Sequence, residues 1–177
     1  MIAGMSQWFR SYGFADVHKD LLIGAYPLDR EDVEVLERLR VDRILNLVQD
    51  SEYRPGDREA VHEALAEAGI EEQRQDLTDF GGLPSMELDA AVELVLAWLE
   101  EGHRVYLHCR AGWQRSAAVA AGVVAIREHL DIDGALDIVQ LRKPSADPLP
   151  HQREDVKWWW EERERTGERD HVGESEP

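Results

Sequence analysis

The sequence has few of the features that mark secreted and membrane proteins. It contains one cysteine, Cys109, which excludes an internal disulfide, a four-cysteine zinc site and the small disulfide-rich class. Its longest apolar run, residues 117–126, is too short to span a bilayer, which needs about 20 residues. Its opening residues include no apolar stretch long enough for a secretory signal. We therefore expect a cytoplasmic protein that does not insert into membranes.

Positive charge is also scarce. The chain has 20 Lys and Arg against 37 Asp and Glu, a formal net charge of −17, which argues against binding nucleic acid through its overall field. Its 177 residues suit one domain of roughly 100–200 residues, and such a chain can bury a core without disulfides. Because neither a repeat nor a linker is evident, we predict one domain over residues 1–166 and a disordered polar tail over 167–177. We take a monomer as the default oligomeric state.

Strand and helix patterns alternate along the chain. Short apolar or β-branched runs predict strands at residues 21–23, 43–48 and 104–108, and residues 70–77 are a weaker, polar strand candidate. Periodic segments bounded by caps and breakers predict helices at about residues 30–40, 57–68, 85–101, 116–128, 132–141 and 154–165. This alternation predicts an α/β fold with a central, mostly parallel sheet of four to five strands flanked by helices. Ligands of such folds bind at the carboxyl ends of strands, often against a helix N-terminus.

The turn from residue 108 to residue 116 joins a predicted strand to an apolar helix. It contains the lone Cys109, followed six residues later by Arg115. The backbone N–H groups of such a loop can converge on an anion, and these dipoles favour the nucleophilic thiolate. Gly112 permits a backbone conformation that a side chain would obstruct. Arg115 offers a planar fork for two phosphate oxygens, and Ser116 can donate a hydrogen bond to the sulfur.

The segment His-Cys, five residues, Arg-Ser resembles the signature of the cysteine-dependent protein tyrosine phosphatases. The likeness extends over about residues 15–160 and is greatest to the dual-specificity branch. Within it, DFGGLPS, VYLHCRAG and RSA are most similar to the phosphatidylglycerophosphate phosphatase subgroup, from whose loop Trp113 and Gln114 depart.

The resemblance implies a metal-independent phosphatase without a cofactor that works through a phosphocysteine at Cys109. It implies that His108 supports the loop and that Ser116 assists departure of the sulfur. The loop that holds the phosphate then consists of Arg110, Ala111, Gly112, Trp113, Gln114 and Arg115.

The resemblance also implies a carboxylic acid on a mobile loop. Asp79 lies 30 residues before Cys109 in a glycine-rich segment and is the preferred candidate. Asp76, beside a strand, is the alternative. Gln152 is a candidate for positioning water.

Other functions stay open at this point. A rhodanese-type sulfurtransferase also carries an active cysteine before a helix, but its loop is one residue shorter. A phosphate-binding module without turnover is a third hypothesis. The substrate is a phosphorylated protein or a small phosphoester, including phospholipid, nucleotide and sugar phosphates.

The run Trp158 to Trp160 is compatible with membrane binding, but its helical spacing favours another interpretation. Val156, Trp159 and Trp160 share a helical face that can dock on the core, with Trp158 partly exposed.

Overall fold

The computed structural model describes residues 4–172, with side chains to residue 167. Within that range helices and strands alternate along most of the chain. The strands are β1 (Phe14–His18), β2 (Leu21–Gly24), β3 (Arg43–Asn46), β4 (Glu71–Arg74) and β5 (Val105–His108). The helices are α1 (Gln7–Tyr12), α2 (Arg30–Arg38), α3 (Asp57–Ala68), α4 (Ser85–Glu100), α5 (Arg115–Glu128), α6 (Ile132–Arg142) and α7 (Pro150–Val172), with a 3₁₀ turn at Asp50–Glu52.

The five strands form one sheet in the order β1-β2-β5-β3-β4. β1 is antiparallel to β2, and the other neighbours are parallel, which confirms the predicted α/β fold. In this register Gly24 of β2 and Asn46 of β3 lie on either side of His108, the last residue of β5. The carboxyl ends of three parallel strands therefore meet directly beside Cys109.

Apolar side chains fill both faces of the sheet. One core contains the inner faces of α4, α5, α6 and α7, and the other contains those of α2 and α3. Residues 115–125 of α5 are buried throughout, as expected for a helix that is apolar on all sides. The start of α5, which follows the Cys109 loop, is thus held rigidly between the sheet and its neighbouring helices.

The sequence analysis did not predict α1 and β1. α1 has only six residues, too few for a periodic pattern, and it is stabilised by contacts distant in sequence. Ser6 caps the helix by accepting a hydrogen bond from the Phe9 N–H at 3.0 Å. The same hydroxyl donates to the buried carboxylate of Asp32 in α2 at 2.7 Å. Tertiary contacts therefore place α1 at the rim of the site.

The last helix begins earlier than the sequence pattern predicts. Pro150 opens α7, where its missing N–H costs no hydrogen bond. Val156 and Trp159 are buried and Trp158 is exposed, which confirms the predicted docking face. The backbone stays helical through Val172, so part of the predicted tail is helix, and residues 173–177 lie outside the described residues. Among residues 4–172 no helix is both long enough and apolar enough to cross a bilayer.

Candidate active site

The loop between β5 and α5 holds Cys109 almost completely buried, with 3% of its surface exposed. Neighbouring segments bind the carbonyl groups of this loop. The carbonyl of Arg110 accepts from the Tyr26 N–H at 3.1 Å, and that of Trp113 accepts from the Asp147 N–H at 2.7 Å. Because these carbonyls face the surrounding protein, the loop can turn N–H groups toward its interior.

Gly112 of the loop lies so close to the backbone of Gly24 that a side chain at position 112 has no room. Gly112 has φ +74°, a left-handed conformation that favours glycine. A Cβ atom at Gly112 would lie 2.4 Å from the carbonyl carbon of Gly24 in β2. The end of β2 therefore fixes the curvature of the Cys109 loop.

Two polar side chains flank the cysteine from inside. The Ser116 Oγ lies 3.3 Å from the Cys109 Sγ, a distance that allows the predicted hydrogen bond to sulfur. The buried His108 ring places its Nδ1 3.2 Å from the Cys109 carbonyl oxygen. Burial lowers the pKa of His108 from 6.5 to about 4. The imidazole is therefore neutral at neutral pH. Its role in supporting the loop stays a prediction.

Arg115 is the largest fully buried side chain among the described residues, with 1% of its side chain exposed. Its Nη1 and Nη2 donate to the two carboxylate oxygens of Glu52 at 2.8 and 2.7 Å. Nη1 also donates to the Leu77 carbonyl at 2.9 Å. The buried Nε has no partner within the part of the chain that the structure describes. The guanidinium is thus fixed in one orientation with a donor left to bind another group.

Glu52 is the main site residue that sequence reasoning missed. Burial is the largest influence on its pKa and raises it, but hydrogen bonds from Arg115 and the Gln49 N–H outweigh burial and leave the pKa lowered. Glu52 ends the 3₁₀ turn that follows β3. Its position after a strand that pairs with β5 was the only signal in the sequence, because nothing in its local pattern distinguishes it from other acidic residues.

The two candidate acids have different surroundings. The Asp79 Oδ1 lies 3.0 Å from the Arg115 Nη2, and one quarter of the Asp79 side chain is exposed. Asp76 is half-exposed and lies 3.5 Å from Arg74. Asp79 lines the same pocket as Cys109, whereas Asp76 does not. The geometry favours Asp79, and its role as an acid stays a prediction.

A pocket of about 280 Å³ opens above the cysteine. Aromatic side chains from three segments line it, namely Trp8 and Tyr12 of α1, Phe80 after Asp79, and Trp113 of the loop. The Tyr12 and Trp113 rings lie 5.4 Å apart, and Trp113 is 43% exposed, so it forms part of the rim. Arg110, Ala111 and Gln114 complete the lining. The α1 residues were also missed, since α1 itself was not predicted.

Gln152 lies outside this lining, and the predicted role in positioning water gains no support from its contacts. Its Oε1 accepts from the Leu149 N–H at 3.0 Å, and its Nε2 donates to the Gly81 carbonyl at 3.1 Å. Gln152 therefore connects α7 to the segment that carries Asp79.

Comparison with known proteins gives a consistent result at low identity. No protein-family model matches the chain. A mouse phosphatidylglycerophosphatase and protein-tyrosine phosphatase 1 is 26% identical over 140 residues, which cover 77% of this chain and 70% of that protein. The structure of PTPMT1 in complex with PI(5)P aligns with a TM-score of 0.76 at 21% identity, covering 87% of this chain and 98% of the other. Tk-PTP in its active form aligns with a TM-score of 0.72 at 22% identity, covering 83% and 96%. The structural likenesses establish a shared fold.

Proposed function

Because the chain belongs to the cysteine-dependent protein tyrosine phosphatase superfamily, in its dual-specificity-like branch, we propose that it hydrolyses phosphomonoesters through a phosphocysteine intermediate. One observation carries the proposal. The buried Arg115 is fixed by Glu52 in the pocket that contains Cys109, with its Nε unpartnered among the described residues. A fixed guanidinium beside a nucleophile is suited to a phosphoryl group, whose oxygens gain charge density during transfer.

The first step transfers the phosphoryl group to sulfur. The Cys109 thiolate attacks phosphorus, the S–P bond forms and the P–O bond to the leaving group breaks. Arg115 and the loop N–H groups bind the equatorial oxygens as charge spreads over them. Asp79 gives its proton to the departing oxygen.

The second step regenerates the thiolate. Asp79, now ionised, takes a proton from water as the water oxygen bonds to phosphorus and the S–P bond breaks. Ser116 donates to the departing sulfur from 3.3 Å. Arg115 supplies the positive charge at the phosphoryl group, so we propose that turnover needs no metal. Activity retained in EDTA is the matching measurement.

The pocket also bears on the substrate. Its aromatic lining suits an organic group with apolar surface next to the phosphate, and the exposed Arg110 at its edge suits a second anionic group. PTPMT1 has been solved with PI(5)P, so we propose phosphoinositide-like phospholipids and phosphoproteins as the first substrates to test. A cytoplasmic location and a monomeric state stay predictions.

Hydrolysis of 4-nitrophenyl phosphate near pH 6 tests the proposal. We expect turnover by the wild-type protein and none by Cys109→Ser, which removes the thiolate. Undiminished hydrolysis by Cys109→Ser, or no hydrolysis by the wild-type protein, would contradict the proposal.

Phenyl phosphate tests the role of Asp79 as the acid, because its phenolate leaving group needs a proton far more than the 4-nitrophenolate group does. General acid catalysis contributes about 10²–10⁴-fold, so kcat/KM of Asp79→Asn should fall by about that factor on phenyl phosphate and much less on the nitrophenyl ester. Asp76→Asn is the matched control. A greater loss in Asp76→Asn would transfer the acid role to that residue.

A further inference from the structure

The segment that carries Asp79 has unusual backbone requirements. Phe80, the next residue, adopts φ +56° although it is not a glycine, and its side chain is 65% exposed. Such a conformation costs energy and persists when surrounding contacts hold it. The Gly81 N–H donates to the Thr78 carbonyl at 3.0 Å, which closes a tight turn around Asp79. The contacts that maintain this turn therefore bear on where the carboxyl group of Asp79 lies.

Three side chains from the first turns of α7 hold the far side of this segment. The Asp155 Oδ2 accepts from the Leu83 N–H at 2.7 Å. The Gln152 Nε2 donates to the Gly81 carbonyl at 3.1 Å. The His151 Nε2, as an N–H, lies 3.1 Å from the Phe80 carbonyl and 3.2 Å from the Gly81 carbonyl. We call His151, Gln152 and Asp155 the α7 clasp.

The three side chains of the clasp differ in their exposure to solvent. Gln152 is fully buried, and its second polar atom accepts from the Leu149 N–H, so its orientation is fixed. His151 is exposed and Asp155 is partly exposed. Leu83, whose N–H Asp155 binds, is 2% exposed and packs into the main core. Residues 80–83 are thus bound to α7, which itself packs against α4 and α5 through Val156 and Trp159.

The near side of the segment is held by the phosphate-binding side chain. Arg115 donates to the Leu77 carbonyl at 2.9 Å and lies 3.0 Å from the Asp79 carboxylate. The segment that carries Asp79 is therefore held on both sides. Arg115 binds the residue Leu77 before Asp79, and the α7 clasp binds residues 80–83 after it. The clasp residues themselves do not line the pocket, so any effect they have on chemistry passes through the segment they hold, whose Asp79 and Phe80 do line it.

We propose that the α7 clasp, through Asp155, Gln152 and His151, positions the general acid Asp79 and so sets the efficiency of leaving-group protonation. The inference rests on the proposed phosphatase function. It assigns positioning residues about 70 positions after the segment they hold, as the sequence separations of 72 and 71 in these hydrogen bonds show. Loss of the clasp should leave the nucleophile and the phosphate-binding loop in place, because the hydrogen bonds of the clasp go to residues 80–83 instead.

The test compares leaving groups in the full-length protein. Asp155→Ala removes the acceptor for the Leu83 N–H, and Glu154→Ala, at the exposed neighbouring position of α7, is the matched control. We expect Asp155→Ala to lower kcat/KM on phenyl phosphate about tenfold, part of the full value of a general acid, and to change kcat/KM on 4-nitrophenyl phosphate less than about twofold. We compare kcat/KM because it reports transfer of the phosphoryl group to sulfur, whereas kcat also includes the second step, in which Asp79 acts as a base on either ester. Retained hydrolysis of the nitrophenyl ester also shows that the variant is folded.

A second variant and a double mutant make the result decisive. His151→Ala, at an exposed position, should give a smaller loss with the same dependence on the leaving group. In an Asp79→Asn background Asp155→Ala should add little, because residues that act through one group are not additive. Equal losses on both esters, losses no larger than in Glu154→Ala, or a full additional loss in the Asp79→Asn background would overturn the inference. Failure of the phosphatase proposal is distinguishable, since it would leave the wild-type protein inactive or Cys109→Ser active.

Discussion

Glu52→Gln is the most informative single change beside Arg115, the side chain that we propose binds phosphate. In the wild-type protein both carboxylate oxygens of Glu52 accept from Arg115, at 2.7 and 2.8 Å, and one of them also accepts from the Gln49 N–H. Glutamine has nearly the same shape but offers one oxygen and one amino group. The amino group faces a guanidinium that can only donate, so one of the two contacts becomes repulsive.

The size of the effect follows from the burial of the pair. The side chains of Arg115 and Glu52 are 1% and 8% exposed, so solvent screens their interaction little. Loss of one hydrogen bond between charged groups costs about 1.5–3 kcal/mol. The guanidinium still donates to the Leu77 carbonyl at 2.9 Å and still lies 3.0 Å from the Asp79 Oδ1, which argues against the larger cost of a buried charge without any partner. If the same free energy is lost in the transition state, kcat/KM falls about 10- to 150-fold.

Two measurements check this prediction, namely kcat/KM for 4-nitrophenyl phosphate and the free energy of unfolding in urea. Both should fall in Glu52→Gln and hardly change in Glu71→Gln, whose exposed carboxylate pairs with Arg43. The pKa of Glu52 is lowered from 4.5 in the folded state, so its stabilisation is complete above pH 4.5 and is lost as pH falls through the folded value. The stability difference between wild type and Glu52→Gln should shrink accordingly. Wild-type kinetics in Glu52→Gln, or a stability loss no greater than that of the control, would refute the reasoning.

Three further predictions follow from the loop. Gly112→Ala should abolish most phosphatase activity and lower the melting temperature more than Gly56→Ala does. Both glycines have positive φ, but only a Cβ at Gly112 would collide with backbone atoms, those of Gly24. Equal effects of the two substitutions would contradict this prediction. Ser116→Ala should slow breakdown of the phosphocysteine about 10- to 150-fold, the value of one hydrogen bond to a charged group. Rapid-quench kinetics should then show a product burst followed by slow turnover, whereas unchanged steady-state turnover would be inconsistent with this role. Burial lowers the pKa of His108 from 6.5 to about 4, so below pH 6.5 the unfolded chain binds more protons than the folded chain. The free energy of unfolding in urea should therefore fall by about 3 kcal/mol on going from pH 7 to pH 4. His108→Asn should reduce this dependence of stability on pH, and an unchanged dependence would count against the reasoning.

Much of the candidate site could be predicted from the sequence because many of its residues lie close together along the chain. Cys109, Gly112, Arg115 and Ser116 lie within one strand-loop-helix unit, where spacing alone fixes which side chains can meet. The parallel sheet was likewise predictable, since alternating strands and helices admit few other folds.

Other parts were not readable, because their partners are distant along the chain. Glu52 meets Arg115 across 63 positions, and Asp155 meets Leu83 across 72. α1 is too short for a periodic pattern and is held by Asp32, 26 positions after Ser6. No local propensity predicts which of 37 acidic residues will be buried against an arginine.

The sequence by itself therefore determined the candidate nucleophile, the arginine proposed to bind phosphate and the class of fold, because these depend on short spacings and on the period of apolar residues. Only the tertiary structure decided how Arg115 is oriented, which side chains form the rim, and what holds the Asp79 segment. Those features arise where the carboxyl ends of β2, β3 and β5 meet α1 and α7. Packing brings these segments together, and burial then gives each hydrogen bond between them its strength.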